Sequence, residues 1–573
     1  MMPSNVSPEV RFMRLRTVVP FVVVAVVLGL AAGFARAQED PHAGCTAPPS
    51  YVPADLLDRS VSLRKGIGNS HEAVTSASKE AQAFYNQGLN YLESYVWIEA
   101  SRSFHQALRL DPKCAMAFLG LSYVQSGLDD PEGAKQYLAR AKELATNVTE
   151  REHKRIEIRE KQIAAMDDLN DAGLFLAYKK CIDDALATNL DDVEFWILRG
   201  NAEENNASGR GQRGGASSIA FYQQVLSLVP DHATAHHYLV HSYETIGDVD
   251  DALEHGKEYA RLAPAIPHAA HMWGHDLRRV GRVDDAITQF KKADRLENAY
   301  YAAEKIDPAF DWHHAHNLDL LASCYEHKGQ MKLAEQTFRA SATLKPVSAY
   351  RAFNMRELPA FLIHRGRYDE AIEAARGLTT TDYPQSRCVG HALAGQALIA
   401  MGRDDDAKEE LAQAQKELEQ VPKVVSGIDP ARSVVEPWVD GLRGEILLHS
   451  GHFDEGDVVL KDVVKRLRAT PGPDAWSQGL FRLELMARSA MDAGDWELAD
   501  FLAAQMLDHD AAYGGSHYTR ARVLQHNGDE PAAAKEVATA RRYWRDADKD
   551  LAELRDLDTI GASSGTGREG KEK

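Results

Sequence analysis

The sequence predicts an all-α superhelical solenoid of about eleven or twelve helix pairs, on three observations. A turn glycine followed five residues later by a small residue recurs eight times along the chain. The stretches between these steps carry apolar residues at helical spacing, and no stretch sustains the alternation of a strand.

The register comes from Ala81–Pro112. In a 34-residue unit Gly88 falls at position 8, Ala100 at 20, Phe104 at 24, Ala107 at 27 and Pro112 at 32. Small residues at 8 and 20 let two helices approach, the aromatic fills the gap beside them, and proline ends the second helix because it has no N–H to donate. The steps Gly247…Ala252, Gly281…Ala286, Gly329…Ala334, Gly366…Ala371, Gly402…Ala407, Gly494…Ala499 and Gly528…Ala533 repeat this grammar, with Gly451…Gly456 a degenerate copy.

Composition suits a large folded array. Of 573 residues, 44% are hydrophobic and 26% charged, and the formal charge is −19. That balance lacks the basic stripe needed to displace counterions from phosphates, so nucleic acid is excluded as a partner. Arg11, Arg14 and Arg16 precede an apolar run from Val18 to Phe34 that ends in Ala35-Arg36-Ala37. This reads as a Sec-type signal peptide cleaved after Ala37, giving an exported, periplasmic or extracellular protein without a membrane span, with a retained signal anchor as the alternative. Cys45, Cys114, Cys181, Cys324 and Cys388 are too few and too scattered for a disulfide scaffold, and no C-x-x-C occurs.

The expected organisation is a signal peptide at 1–37, a linker at 38–77 and N-terminal repeats at 78–230 with a polar, Gly-rich insertion at about 201–216. His-rich repeats at 231–350 and C-terminal repeats at 351–548 follow, then a disordered tail at 549–573.

Eleven of the 23 histidines lie between residues 232 and 316. With Gly247 and Gly281 at position 15, His237 and His271 both occupy position 5, and His241 and His275 both occupy position 9. An H-x3-H pair presents two imidazoles on one helix face, the spacing used by helical zinc sites. Glu244 completes the first face at position 12, and His268 is position 2 of the second repeat. In the repeat that starts at Ala315, His316 is position 2 and Asp319 position 5. One ion would lie among His237, His241, His271 and His275. A second would lie among His268 or His275, His316 and Asp319, with ~10 Å between them from helix spacing. Imidazole-rich ligation suits Zn²⁺, Cu²⁺ or Ni²⁺. A metal-free groove of histidines is the alternative.

The stretches Ala81-Gln-Ala-Phe-Tyr-Asn-Gln-Gly-Leu89, Asp111-Pro-Lys-Cys-Ala-Met-Ala117, His237-Tyr-Leu-Val-His-Ser-Tyr-Glu244, Pro267-His-Ala-Ala-His-Met272 with His275, and His316-Asn317-Leu318 carry a resemblance. The chain resembles tetratricopeptide-repeat (TPR) proteins, and among them a group of exported bacterial members with no assigned activity. Such relatives tend to have Asn-His where this chain has Val96-Trp97, His at Asp319 and Pro at Trp273. The resemblance implies that positions 2, 5, 9 and 12 of each first helix line a concave groove.

Function therefore reads first as a scaffold holding a protein or peptide in that groove, with a His-rich metal site. A metal-dependent hydrolase, with Glu244 or Asp319 as general base, and a metal capture or delivery protein are the alternatives. Trp273 and Trp312 are candidates to stack on a ligand, and Arg356 to hold a peptide carboxylate; packing and solvated-surface roles compete with these readings.

Overall fold

The computed structural model describes residues 52–562, apart from 205–206, 213, 347, 424–430 and 471–472. The signal peptide, Cys45 and residues 563–573 lie outside the described residues. Twelve helix pairs follow one another among those described, from Lys79–Glu93 with Trp97–Leu110 to Gly514–His526 with Glu530–Tyr543. The fold is a TPR solenoid. All eight turn glycines of the five-residue step have φ between 69° and 87°, a left-handed turn that costs glycine no Cβ clash. The grammar of positions 8 and 24 is equally physical: a Cβ on Gly88 or Gly120 would come within 2.6 Å of the Phe104 ring. Among the described residues, no helix is long and apolar enough to cross a membrane.

The stretch 147–192, which lacks a clean repeat consensus, is helical, whereas the described part of the insertion is not. Residues 147–192 supply the helices Glu150–Asp167 and Ala172–Leu186, the first opened by a Thr149–Glu152 capping box. The insertion separates Val193–Asn201 from Ala216–Leu228 and folds inward, where Glu204 accepts from the Arg210 N–H at 3.0 Å and Tyr95 Oη–H donates to the Arg210 carbonyl at 2.9 Å.

Both ends of the array differ from the expectation. The segment expected to be a linker is packed from residue 52 onward: Leu56, Leu57 and Ile67 are buried, and Arg102 donates to the carbonyls of Arg59 and Ser60. It carries no helical period, so its burial depends on partners far along the chain, such as Pro264 against Gly66. At the other end, Ala552–Ala562 is a helix that buries Leu557 and Ile560 rather than a tail.

The C-terminal repeats also return to the middle of the array. Asp548 N–H donates to the Gly329 carbonyl, Trp544 Nε1–H to the His327 carbonyl, and Arg278 and His327 converge on Asp510 at 2.8 and 3.1 Å. Burial raises the Asp510 carboxyl, but Arg278 and then His327 hold it well below the usual carboxylate range. Asp510→Asn removes the charge facing a buried guanidinium. It is expected to cost about 3–5 kcal/mol, read as a lower denaturant midpoint.

Candidate metal centre

The first helices of three successive repeats, Ala233–Ile246, Pro267–Arg279 and Trp312–His327, carry the histidines. All six predicted imidazoles are buried, with His237, His241 and His271 at 0% exposure. They form two groups whose ring nitrogens lie within 4.8 Å of one another: His237, His241 and His268, then His271, His275 and His316. Each triad takes positions 5 and 9 of one repeat and position 2 of the next. The expected grouping of His237, His241, His271 and His275 around one ion is thus corrected. The superhelical offset between repeats brings position 2, not 5 or 9, of the following helix under the pair.

Tautomers are fixed from outside. His237 Nδ1–H donates to the Glu93 carbonyl at 2.8 Å, so its Nε2 is an acceptor. That lone pair faces His268 Nε2 at 3.0 Å and His241 Nε2 at 3.1 Å. Only one N–H can point along it. One repeat later His271 Nδ1–H donates to Asn317 Oδ1 at 2.9 Å, and Asn317 Nδ2–H is itself anchored on the Phe290 carbonyl. His271 Nε2 then accepts from His275 Nε2 at 2.7 Å. Tetrahedral ligands ~2.05 Å from an ion sit ~3.3 Å apart, so a few tenths of an ångström of opening admits one.

Burial dominates the electrostatics. It pulls His237 down to about 3, opposed by the Glu93 carbonyl, and pulls His316 down to about 3 with His313 adding to it. His268 and His271 fall well below the ordinary value through burial and then through neighbouring imidazoles. The core therefore offers neutral lone pairs at any physiological pH.

The predicted acids are placed less centrally. Glu244 Oε1 is 3.7 Å from His275 Nδ1, beside the second triad rather than the first. It also faces Asp276, whose carboxyl is raised by burial and then by Glu244. Asp319 joins neither triad; it pairs with Arg351 at 3.4 Å, because the arginine at the start of the next repeat reaches it. Arg356 is buried, and its Nη1 donates to the Phe353 carbonyl and Asn354 Oδ1, its Nη2 to Gln478, so it is no peptide clamp. Trp312 packs on His316 with ring centroids 6.1 Å apart, and Trp273 packs on the apolar core.

Three participants lie outside the predicted set: His313, Glu297 and Tyr95. His313 sits between the triads, 4.4 Å from His271 and 5.0 Å from His268 by ring centroids. Its Nδ1 pairs with Glu297, its Nε2 has no hydrogen-bond partner, and Glu297 also holds His314 at 3.0 Å. Burial raises Glu297, but His313 and then His314 hold it below the usual range. Tyr95, at φ 59°, lays its ring 4.7 Å from His237 and 5.4 Å from His268. Such a backbone is strained for tyrosine and is kept by the packing around it. Nothing in the sequence signals Tyr95, which belongs to a turn of a distant repeat. For His313 the one signal is the doubled His313-His314 just ahead of the repeat that starts at Ala315.

The concave face at these histidines is packed against other parts of the chain. The turn Glu93–Trp97 covers it on one side and the helix Pro473–Ala493 meets it further on. What remains is a pocket of about 560 Å³ between Tyr91–Glu99 and Tyr300–His313, with His268 and His313 in its wall. The triads abut rather than standing ~10 Å apart as helix spacing implied: His268 and His271, one from each, have ring centroids 5.8 Å apart.

A tetratricopeptide repeat model matches residues 315–348, the unit that the register starts at Ala315. No curated protein sequence matches the chain. Among solved structures, the chain is similar to yeast Tom70 at 12% identity, covering 85% of this chain and 96% of that one, with a TM-score of 0.33. A tetratricopeptide repeat protein from Parabacteroides merdae gives 12%, 49%, 98% and 0.33 in the same order. YrrB, described as a TPR protein with an unusual peptide-binding site, gives 16%, 34%, 91% and 0.25.

Proposed function

We propose that this chain is an exported TPR scaffold whose interior holds transition-metal ions. One observation carries the reading: the same triad, at positions 5, 9 and next 2, is built twice, each time with the position-5 ring anchored through Nδ1–H so that Nε2 faces its neighbours. Anchoring the far nitrogen of a metal-ligating histidine on a carbonyl or carboxamide orients the ring and raises its basicity. His313, held by Glu297 in the carboxylate–histidine arrangement, is a further ligand reachable from both triads. Nitrogen-only sets favour Zn²⁺, Cu²⁺ or Ni²⁺ over Mg²⁺ or Ca²⁺. The signal-peptide pattern at 1–37 supports export, and the pocket beside His268 and His313 gives an ion or small ligand its approach.

Metal analysis of purified protein tests this. Two equivalents per chain, one for each triad, are expected after titration with Zn²⁺, Cu²⁺ or Ni²⁺, and none in His237→Ala/His271→Ala. Protein that carries no such metal as isolated and takes up none on titration sinks the proposal.

A further inference from the structure

A second pocket, of about 640 Å³ and lined by none of the triad histidines, lies between the helices Lys79–Glu93, Glu150–Asp167 and Val193–Asn201, with Tyr95, and Ser208–Arg210 of the insertion, in its wall. Arg159 lines it and is 1% exposed. Every hydrogen bond of this guanidinium ends on a neutral acceptor: Ser122 Oγ at 3.1 Å, the Ser122 carbonyl at 2.8 Å, Gln162 Oε1 at 2.6 Å, and Ser126 Oγ. It lies 4.2 Å from the Tyr123 ring centroid. Its neighbour Arg155 pairs with Glu194 at 3.2 Å and Glu72 at 3.4 Å, whereas Arg159 makes no ion pair among the described residues. Burial, opposed by Tyr123 and reinforced by Arg210, draws Arg159 down to about 10. A buried cation without a counter-charge is costly, and here it stands in the wall of a cavity.

The rest of the lining decides the ligand class. Trp97, Ile197 and Leu198 present apolar surface. Of the other arginines in the wall, Arg155 is committed to Glu194 and Glu72. Arg210 stacks on Trp97 and donates to the Ser126 carbonyl, so Arg159 is the cation left to meet a single negative charge. Of the five guanidinium N–H groups four are used, and the second hydrogen of Nη1 remains. We propose that this pocket binds a small organic monocarboxylate, its carboxylate on Arg159 and its apolar body against Trp97 and Ile197.

Calorimetric titration of the full chain with phenylacetate tests this, with inorganic phosphate as the second titrant. Phenylacetate is expected to bind one to one and phosphate not to bind. A charge-assisted hydrogen bond is worth enough that Arg159→Gln should weaken phenylacetate at least ~10-fold. Met166→Trp fills the pocket while leaving Arg159 in place and should abolish binding, so a misfolded arginine variant does not leave the idea untested. No heat from phenylacetate with wild-type protein overturns the proposal. So does phosphate binding as tightly, or an unchanged affinity in folded Arg159→Gln or Met166→Trp.

Discussion

Acidifying the metal-free protein from pH 7 to pH 5 is expected to destabilise it by about 4 kcal/mol net. Four buried imidazoles carry the effect: burial draws His237 and His316 to about 3, and His232 and His327 to about 4. In the unfolded chain each titrates near 6.5. Between pH 6.5 and 5 the unfolded state binds protons that the folded state refuses, so stability is complete above 6.5 and falls as pH drops. Each ring loses about 1.4 kcal/mol per pH unit, about 2 kcal/mol by pH 5, and the four together about 8 kcal/mol. Glu194 and Glu445 act against this: burial raises both carboxyls to about 7. Between pH 7 and 5 the folded state therefore binds protons that the unfolded chain, titrating at about 4.3, does not, and the pair returns about 4 kcal/mol. His364 works in the opposite sense. Burial lowers it, but Glu484 and Glu326 raise it to about 9, so its contribution is lost as pH rises through 9 and is constant below 6.5. It therefore gives no relief at pH 5. Denaturant unfolding followed by circular dichroism across pH 4–8 on chelator-treated protein reads the loss. A midpoint that stays flat to pH 4.5 refutes the prediction.

Metal loading should raise thermal stability by a larger amount. An ion that binds only the folded state adds about 4 kcal/mol at a thousand times its Kd, so two filled triads add about 8 kcal/mol. At ~2.1 cal/mol/K per residue over some 500 residues, this raises the midpoint by about 8 °C if the array unfolds as one unit. Chelator should reverse the rise, and His237→Ala/His271→Ala should show neither rise nor reversal. Asn317→Ala is a finer probe. It leaves every ligand in place but frees the His271 ring, and should cost the second triad ~10–100-fold in affinity while sparing the first.

The pair architecture is legible in the sequence because turn glycines and small residues at fixed offsets are local requirements. Gly281 must turn left-handed and Ala286 must sit under a neighbouring helix whatever the rest of the chain does. The histidines are legible as a set for the same reason, since position 5 and position 9 share a face in any α-helix. Their partition is not legible. Whether His271 or His268 joins His237 depends on the twist between repeats, which no single repeat encodes. Asp319 illustrates the same limit, because the arginine that neutralises it belongs to the following repeat. Tyr95 and Glu93 give no signal, since they meet the cluster only after the array winds back on itself. The segment from residue 52 to 77 reads as a linker because an extended strap has no period to detect.

The hydrogen bond from His237 to the Glu93 carbonyl joins residues 144 apart in sequence. A solenoid of repeats is ordinarily a spring, each unit touching only its neighbours and free to open a little at every joint. Here the first repeat sets the tautomer of a ring in the fifth, so the ion-binding geometry exists only at one pitch of the coil. Stretching the array by a small angle per joint would pull Glu93 away and let His237 rotate. On the proposed function, metal affinity and superhelical pitch become a single variable: an ion would lock the coil, and whatever pulls on its ends would release the ion.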